Sequence, residues 1–308
     1  MSSKILVTSA TGSQGGSVVR QLLSHNISVN AIVRDPTSSS ALALQSLGAT
    51  LFEGDLNDVP AIEKAISGCT GVFLNTFPSF EDPNGEGKQA QNFIDAARQA
   101  GTVTTFIAST VARPSEEDLV GNETEYPFIS FYYRQKKGVE ERVRGAGFKS
   151  YAIFRPGFLM YNFLSPWTMY HFPEYPKSHI MTAHWGADYK IDLLDPVDVG
   201  KFALAAFLDP ERFNGTEMDL VYEKFTTAEV AAKISKATGI EVKVEFPSKN
   251  ESEQVAAGTF PTAQSQTFMK KYLKEVEGGH LEKYGIELGT FDEYLEREKG
   301  SFLKTLGA

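Results

Sequence analysis

The chain has one cysteine, Cys69, in 308 residues, so no disulfide framework can close within it. It has no excess of positive charge either. Against 30 Lys and Arg stand 39 Asp and Glu, a formal net charge of −9, and no basic block occurs anywhere. A wrapped nucleic-acid interface needs a broad positive surface, so charge-driven binding of DNA or RNA is excluded, although a local site can still hold a single nucleotide. No apolar run reaches the roughly 18 residues that mark a membrane span. Strand pattern begins at Lys4, which leaves no room for a signal peptide. Together these absences predict a cytosolic protein without a membrane partner. Histidine is sparse, and His25, His171, His179, His184 and His280 show no spacing that builds a metal site, so no metal is expected. Internal repeats and low-complexity segments are also missing.

What is present is the composition of a globular protein, 42% hydrophobic and 22% charged, organised around one stretch near the start. An apolar run, Lys4 to Thr8, stops at the small residues Ser9-Ala10-Thr11-Gly12-Ser13, and a helical pattern then opens at Gln14 with Val18, Val19, Leu22 and Leu23 on its buried side. Strand, tight turn and helix are the context in which a glycine-rich loop binds a dinucleotide. Gly12 allows the turn, Gly15 allows close approach of the helix backbone, and the free N–H groups of the first helical turn face an anion. The first position of the fingerprint is Ser9 rather than glycine, giving S-x-x-G-x-x-G.

Further along, apolar strand runs at Ser28–Val33, Thr50–Glu53, Gly71–Asn75, Thr104–Ala108 and Tyr151–Phe154 alternate with helical patterns. Those helices are expected at Leu42–Leu47, Pro60–Ile66, Gln89–Ala100 and Phe131–Gly145. Strands that read apolar on both faces predict an α/β protein, a doubly wound Rossmann-type parallel sheet covered by helices on both sides. After Arg155-Pro156-Gly157 the pattern changes to an aromatic, proline-containing excursion, Phe158 to Tyr189. A helix follows at Pro196–Leu208. Capping-box spacings at Thr226…Glu229 and Thr290…Glu293 open two more. The organisation predicted is a dinucleotide-binding domain over 1–157 with a return at about 190–225. A smaller, mostly helical substrate region over 158–189 and 226–308 completes it.

Cofactor choice is read at the end of the second strand, where a carboxylate bonds the ribose of NAD and an arginine accommodates the 2′-phosphate of NADP. Arg34 stands there and favours NADP(H), with Asp35 immediately after it. Of the 12 tyrosines, Tyr132 and Tyr133 alone have a lysine four residues on, at Lys136 and Lys137. On a helix each such pair shares a face. A nearby ammonium favours the phenolate and makes tyrosine a usable general acid or base. Spacing leaves both registers open, but the pair lies after the fifth strand, on the loop side where ligands bind in such sheets. Ser109 and Thr110, at the end of that strand, offer hydroxyls to polarise a carbonyl.

These residues carry a resemblance. The chain resembles the NmrA-like family, atypical short-chain dehydrogenase/reductases that include isoflavone and phenylpropanoid reductases, quinone reductases and fungal redox-sensing regulators. Its marks are Thr8-Ser9-Ala10-Thr11-Gly12-Ser13-Gln14-Gly15, Val33-Arg34-Asp35, Gly54-Asp55-Leu56, Lys136-Lys137-Gly138-Val139-Glu140, Arg155-Pro156-Gly157-Phe158 with Asn162, and Asp198-Val199-Gly200. The resemblance covers nearly the whole chain and implies an NAD(P)-binding sheet with a C-terminal substrate region. It implies that Ser9, Thr11, Gly12, Gln14, Gly15, Arg34, Asp55, Leu56, Thr76, Lys136 and Pro156 contact the cofactor, with Asp55 near the adenine. Lys136 maps to the lysine the family's reductases use. Tyr132 restores a tyrosine partner that the family often lacks and that its regulators commonly lack. The function so implied is an NADPH-dependent oxidoreductase acting on a hydrophobic carbonyl, enone or quinone, with the aromatic excursion lining its substrate site. The alternative is a non-catalytic NAD(P) sensor that docks a protein partner.

Overall fold

The computed structural model describes residues 3–78, 82–112, 124–256, 261–273, 276 and 279–308. The chain forms two compact units, one made of residues 1–112, 134–156 and 196–220, the other of 113–133, 157–195 and 221–308.

The first unit is a sheet covered by helices. Its elements are β1 (Lys4–Val7), α1 (Ser13–Ser24), β2 (Ser28–Val33), α2 (Ser39–Ser46), β3 (Thr50–Glu53), α3 (Val59–Ile66), β4 (Gly71–Asn75), α4 (Gly85–Ala100), β5 (Thr105–Ser109), α5 (Pro127–Arg144, from Arg134 onward in this unit), β6 (Ser150–Pro156), α6 (Pro196–Leu208) and β7 (Thr216–Leu220). Seven parallel strands run in the order β7-β6-β5-β4-β1-β2-β3. Leu6 of β1 lies opposite Asn30 of β2 on one side and Val72 of β4 on the other. The strand order reverses there, so the chain leaves β1 and β4 in opposite directions. In such sheets the crevice beyond that point is where ligands bind.

Burial explains why these runs are strands. Ile5, Leu6, Val7, Val72, Phe73, Leu74, Phe106, Ile107 and Ala108 are all buried, as expected of a parallel sheet covered on both faces. The buried side chain of Asn30 donates to the Ala65 carbonyl at 2.6 Å, which removes the cost of a polar group in this core. Cys69 is buried as well, and that burial pushes its thiol up to about 11, well away from reactive thiolate.

Three helices begin three or four residues earlier than their apolar pattern suggests, α2 at Ser39 rather than Leu42 because two serines open it. α4 starts at Gly85 rather than Gln89, because its first turn carries Gly85 and Gly87, which show no helical periodicity. α5 starts at Pro127 rather than Phe131, since proline is accommodated in a first turn where its missing N–H costs nothing. β7 has the sequence Thr-Glu-Met-Asp-Leu, whose polar alternation marks a sheet-edge strand, as β3 is at the opposite edge, rather than the buried runs between them.

Helix α6 closes the unit against α1. Ser17 Oγ donates to the Val197 carbonyl at 3.0 Å, and a Cβ on Gly200 would lie 2.2 Å from Ser17 Oγ and 2.8 Å from its carbonyl carbon. The Asp198-Val199-Gly200 motif is therefore a packing motif: only glycine permits this helix-to-helix distance. The Asp198 carboxylate is fully buried and paired with Lys201 at 2.8 Å.

The second unit is helical with two small sheets. Glu223–Thr226 pairs antiparallel with Lys190–Leu194, which pairs parallel with Phe158–Leu159. Ile180–Thr182 pairs with Lys243–Glu245. Both expected capping boxes form, with Thr226 and Thr290 as N-caps of Thr227–Thr238 and Phe291–Arg297, and a further helix, Lys299–Thr305, follows. Much of the aromatic excursion packs on this unit's own helices. Phe158, Phe163, Phe172, Tyr175 and Trp185 are buried with Phe291, Tyr294 and Phe302, whereas Trp167 and Tyr170 are exposed. The Trp185 indole N–H donates to Thr227 Oγ1 at 2.7 Å. Gln266, fully buried, donates to the carbonyls of His171 and Thr182 and accepts from the His184 N–H. Among the described residues no helix is long and apolar enough to cross a membrane.

Two outcomes are expected. Gly200→Ala should lower the urea midpoint by the equivalent of about 1–3 kcal/mol, the usual effect of forcing a methyl group into a packed contact. The second concerns His171, whose ring packs edge-on to Phe158 and whose Nδ1 has no hydrogen-bond partner among the described residues. Burial lowers its pKa from 6.5 to about 4. Between those values the unfolded chain binds the proton and the folded one does not, so stability falls as pH drops from 6.5 toward 4. Urea midpoints measured across that window should fall less steeply for His171→Asn than for the wild type.

Candidate functional site

The turn after β1 is built by one close approach. A Cβ on Gly15 would sit 2.3 Å from the Ser9 carbonyl oxygen and 2.6 Å from that of Thr8, so no other residue lets α1 descend on the strand end. Gly12 donates its N–H to Ser9 O at 2.9 Å, and Gly16 donates to Gly12 O at 2.8 Å. The N-cap of α1 is Gly12, with no side-chain cap and no acidic residue in the first turn. The positive end of the helix dipole is thus neither capped by a side chain nor offset by a carboxylate, which fits a pyrophosphate.

Ser9 occupies the place of the first fingerprint glycine in backbone as well as sequence. Its φ is +48°, a left-handed conformation that favours glycine. Its hydroxyl offsets part of that strain by donating to the Asn75 carbonyl at 2.9 Å. Thr8 Oγ1 donates to the same carbonyl at 3.0 Å and accepts from the Asn75 N–H at 2.7 Å. The two loops that diverge at the reversal of strand order are therefore tied together by side chains. Gln14 is held from the other side, its Oε1 accepting from Ser109 Oγ at 2.7 Å. Thr11 is exposed on the turn.

At the end of β2, Arg34 and Asp35 are both exposed. The Asp35 carboxylate turns into its own loop, accepting from the Thr37 hydroxyl at 2.6 Å and the Thr37 N–H at 2.8 Å. Those bonds hold its carboxyl below the usual range, the hydroxyl contributing most. Asp55, after β3, is likewise exposed and accepts from the Asn57 N–H at 2.7 Å, while the half-buried Leu56 offers its carbonyl to Asn92 at 3.1 Å. After β4, the buried Thr76 donates its hydroxyl to Glu86, and the Phe77 N–H donates to Gln89 Oε1 at 2.9 Å. Pro156 is buried at the end of β6, its carbonyl taken by the Ala112 N–H at 2.9 Å.

Lys136 is buried, and its ammonium stands 2.6 Å from Glu86 Oε2. Tyr132 lies one turn earlier on α5 and is half-buried. Its neighbour Tyr133 stacks on Phe268 with centroids 5.6 Å apart, and complete burial pushes its phenol far above the ordinary value. Lys137 faces Glu141 at 3.5 Å, one turn on. Of the two registers the spacing left open, Tyr132 with Lys136 is the one whose phenol is not locked in apolar packing. Ser109 and Thr110 part company. The Thr110 hydroxyl lies 2.9 Å from Glu140 Oε1 and 3.3 Å from the Phe154 carbonyl, and Glu140 is bridged by Arg155, which also reaches Glu217. Thr110 thus belongs to a buried charge network under the sheet's end, whereas Ser109 reaches the glycine turn.

Several residues that hold this site carry no local signal: Asn75, Glu86, Gln89 and Gln135, the last accepting from the Glu86 N–H at 3.1 Å.

The NmrA-like family model matches residues 1–295. The chain belongs to the NmrA-like family. It is 28% identical over 259 residues to the NmrA-like family domain-containing oxidoreductase FrzB of a Cladobotryum species, covering 78% of this chain and 75% of that one. To the nitrogen metabolite repression protein nmrA of Emericella nidulans it is 29% identical over 262 residues, covering 79% and 70%. Among solved structures it resembles an NADPH-dependent quinone oxidoreductase of Escherichia coli, crystallised with NADPH. The TM-score is 0.70 at 21% identity, covering 95% of this chain and 99% of that one. The family thus holds proteins named as oxidoreductases and a protein named for repression on one scaffold.

The geometry of Ser9 generates a stability prediction for this NmrA-like protein. Ser9→Ala keeps the unfavourable φ and loses the bond to Asn75, so it should be less stable than the wild type by about 0.5–1.5 kcal/mol. Ser9→Gly loses the same bond but relieves the backbone, and should exceed the alanine variant by about 1 kcal/mol in chemical denaturation.

Proposed function

We propose that this NmrA-like protein is an NADPH-dependent oxidoreductase that reduces a hydrophobic carbonyl, enone or quinone. The observation that carries the reading is a half-buried tyrosine, Tyr132, one helical turn from a lysine, Lys136, whose ammonium is held in place by a buried carboxylate. NADP(H) fits the residues present: the uncapped N-terminus of α1 suits the pyrophosphate, and Arg34 stands where a 2′-phosphate would be recognised. With the Asp35 carboxylate already engaged by Thr37, the arginine is the group left to discriminate between the two nucleotides, which supports NADPH over NADH. The cofactor, when bound, supplies hydride. In this reading Tyr132 donates a proton to the substrate oxygen, and Lys136 holds the nicotinamide ribose and places positive charge beside the phenol. Ser109, fixed by Gln14, orients the carbonyl. Thr11, Asp55, Leu56, Thr76 and Pro156 complete the cofactor contacts in the same proposal.

A second reading, a nucleotide sensor that docks a protein partner without turnover, draws support from the likeness to the nitrogen metabolite repression protein. A screen of NADPH consumption against quinones, enones and aldehydes separates them. Binding of NADPH with no acceptor reduced would favour the sensor.

Arg34→Ala should weaken NADPH by about 1.5–3 kcal/mol, the range of a charge-assisted hydrogen bond, with little change for NADH in titration calorimetry. Equal weakening of both nucleotides would reject the role. Tyr132→Phe should preserve fold and cofactor binding while lowering turnover by about 10²–10⁴, the usual contribution of general acid catalysis. Tyr133→Phe should leave turnover nearly unchanged, because its hydroxyl is enclosed by aromatic packing. The reverse result in steady-state assays would move the proton donor to Tyr133.

A further inference from the structure

Glu86 is the fully buried carboxylate in the first turn of α4. Its Oε2 lies 2.6 Å from Lys136 Nζ and accepts the Thr76 hydroxyl, and its N–H donates to Gln135, the residue before Lys136. Its other oxygen, Oε1, is buried and has no hydrogen-bond partner among the described residues. The side chains of the lysine and glutamate are 4% and 0% exposed, so water does little to screen or replace the interaction. A buried ion pair of this kind is weak evidence for stability, since desolvation of the two charges offsets their attraction, and an apolar pair would serve packing as well. What the pair does secure is the position and the charge of Lys136. Apart from the lysine, the carboxylate is anchored by the Thr76 hydroxyl of the loop after β4, and the Glu86 backbone is tied to Gln135 through its N–H, so the carboxylate is a fixed counter-charge to which the ammonium must come.

We propose that Glu86 is the positioning residue of the site: it is the fixed counter-charge that holds the Lys136 side chain in place for the cofactor. The proposal rests on the reading of Lys136 as a cofactor-binding residue. Glu86 itself need touch neither substrate nor cofactor. A buried ammonium that loses a carboxylate 2.6 Å away gives up its proton more readily than before. Removing the carboxylate should therefore turn a pH-independent contact into a pH-dependent one, which loss of packing alone would not do.

The test is NADPH affinity, read by the fluorescence of the bound nucleotide between pH 7 and 9, above the range in which its 2′-phosphate titrates. For the wild type the dissociation constant should stay within about twofold across the window. For Glu86→Gln it should be close to wild type at pH 7 and rise at least tenfold by pH 9. Glu86→Asp, which keeps the charge, should bind more weakly throughout but retain a flat profile. Glu86→Gln running parallel to the wild type would overturn the proposal, as would Glu86→Asp acquiring the same slope as Glu86→Gln. If Glu86→Gln does not fold, the double variant Glu86→Gln/Lys136→Met decides, since neither position of the pair then carries a charge. It should unfold at higher urea than Lys136→Met, and a double variant no more stable than that single one would overturn the pairing. Failure of the wild type itself to bind NADPH is a separate result, and would remove the functional reading on which the proposal rests.

Discussion

The sheet unit depends on how near α1 comes to the end of β1. The carbonyl oxygens of Thr8 and Ser9 occupy the space a Cβ on residue 15 would need, and the same helix meets α6 where Gly200 lies against Ser17. Two glycines on different elements therefore set the height of one helix over the sheet. That height puts the first-turn N–H groups beyond the strand end, beside the place where the loops after β1 and β4 diverge. The bonds from Thr8 and Ser9 to Asn75 then fix the two loops to each other. In the proposed reading, anion recognition follows from backbone geometry before any charged side chain is involved.

Charge is handled differently in the interior. One cluster joins Lys136, Glu86 and Thr76, and another joins Thr110, Glu140, Arg155 and Glu217. In the second, Arg155 bridges Glu140 with two bonds and adds Glu217 at the β7 edge, and the two carboxylates hold its guanidinium firmly protonated. Every charge in that cluster has an opposite partner, as a buried network must. In the first, one carboxylate oxygen has no hydrogen-bond partner among the described residues. The difference separates a cluster that joins strand to helix from one that has a group still to satisfy. The Arg155-Pro156-Gly157 and Val139-Glu140 motifs, which look functional in sequence, meet in the former: Arg155 and Glu140 are each other's partners.

How much of this was legible depended on the range of the interaction. The turn at Ser9–Gly15, the strand runs, the α6 helix at Pro196–Leu208 and the capping boxes at Thr226 and Thr290 are written within a few residues, and the structure has them at those positions. The start of α4 was hidden by its glycines and that of α5 by its proline. β7 was hidden because an edge strand has one wet side and alternates. Ser9 is the instructive case. Its sequence position marked it as a substituted glycine. The backbone there is left-handed, so conformation, not bulk, is what the substitution costs.

From the sequence alone came the doubly wound parallel sheet, the glycine turn between β1 and α1, the arginine at the end of β2 and the two tyrosine–lysine registers. Each rests on periodicity or spacing along one element. Tertiary structure alone decided which tyrosine is enclosed, through the stacking of Tyr133 on Phe268, and that Asp35 is spent on its own loop. It also decided that much of the aromatic excursion is core, and that Lys136 is paired with a carboxylate 50 residues away in sequence. The reason is physical. A side chain's charge state and availability depend on what surrounds it, and for these residues the surroundings arrive from elements far along the chain, brought together only when the sheet and its helices have packed.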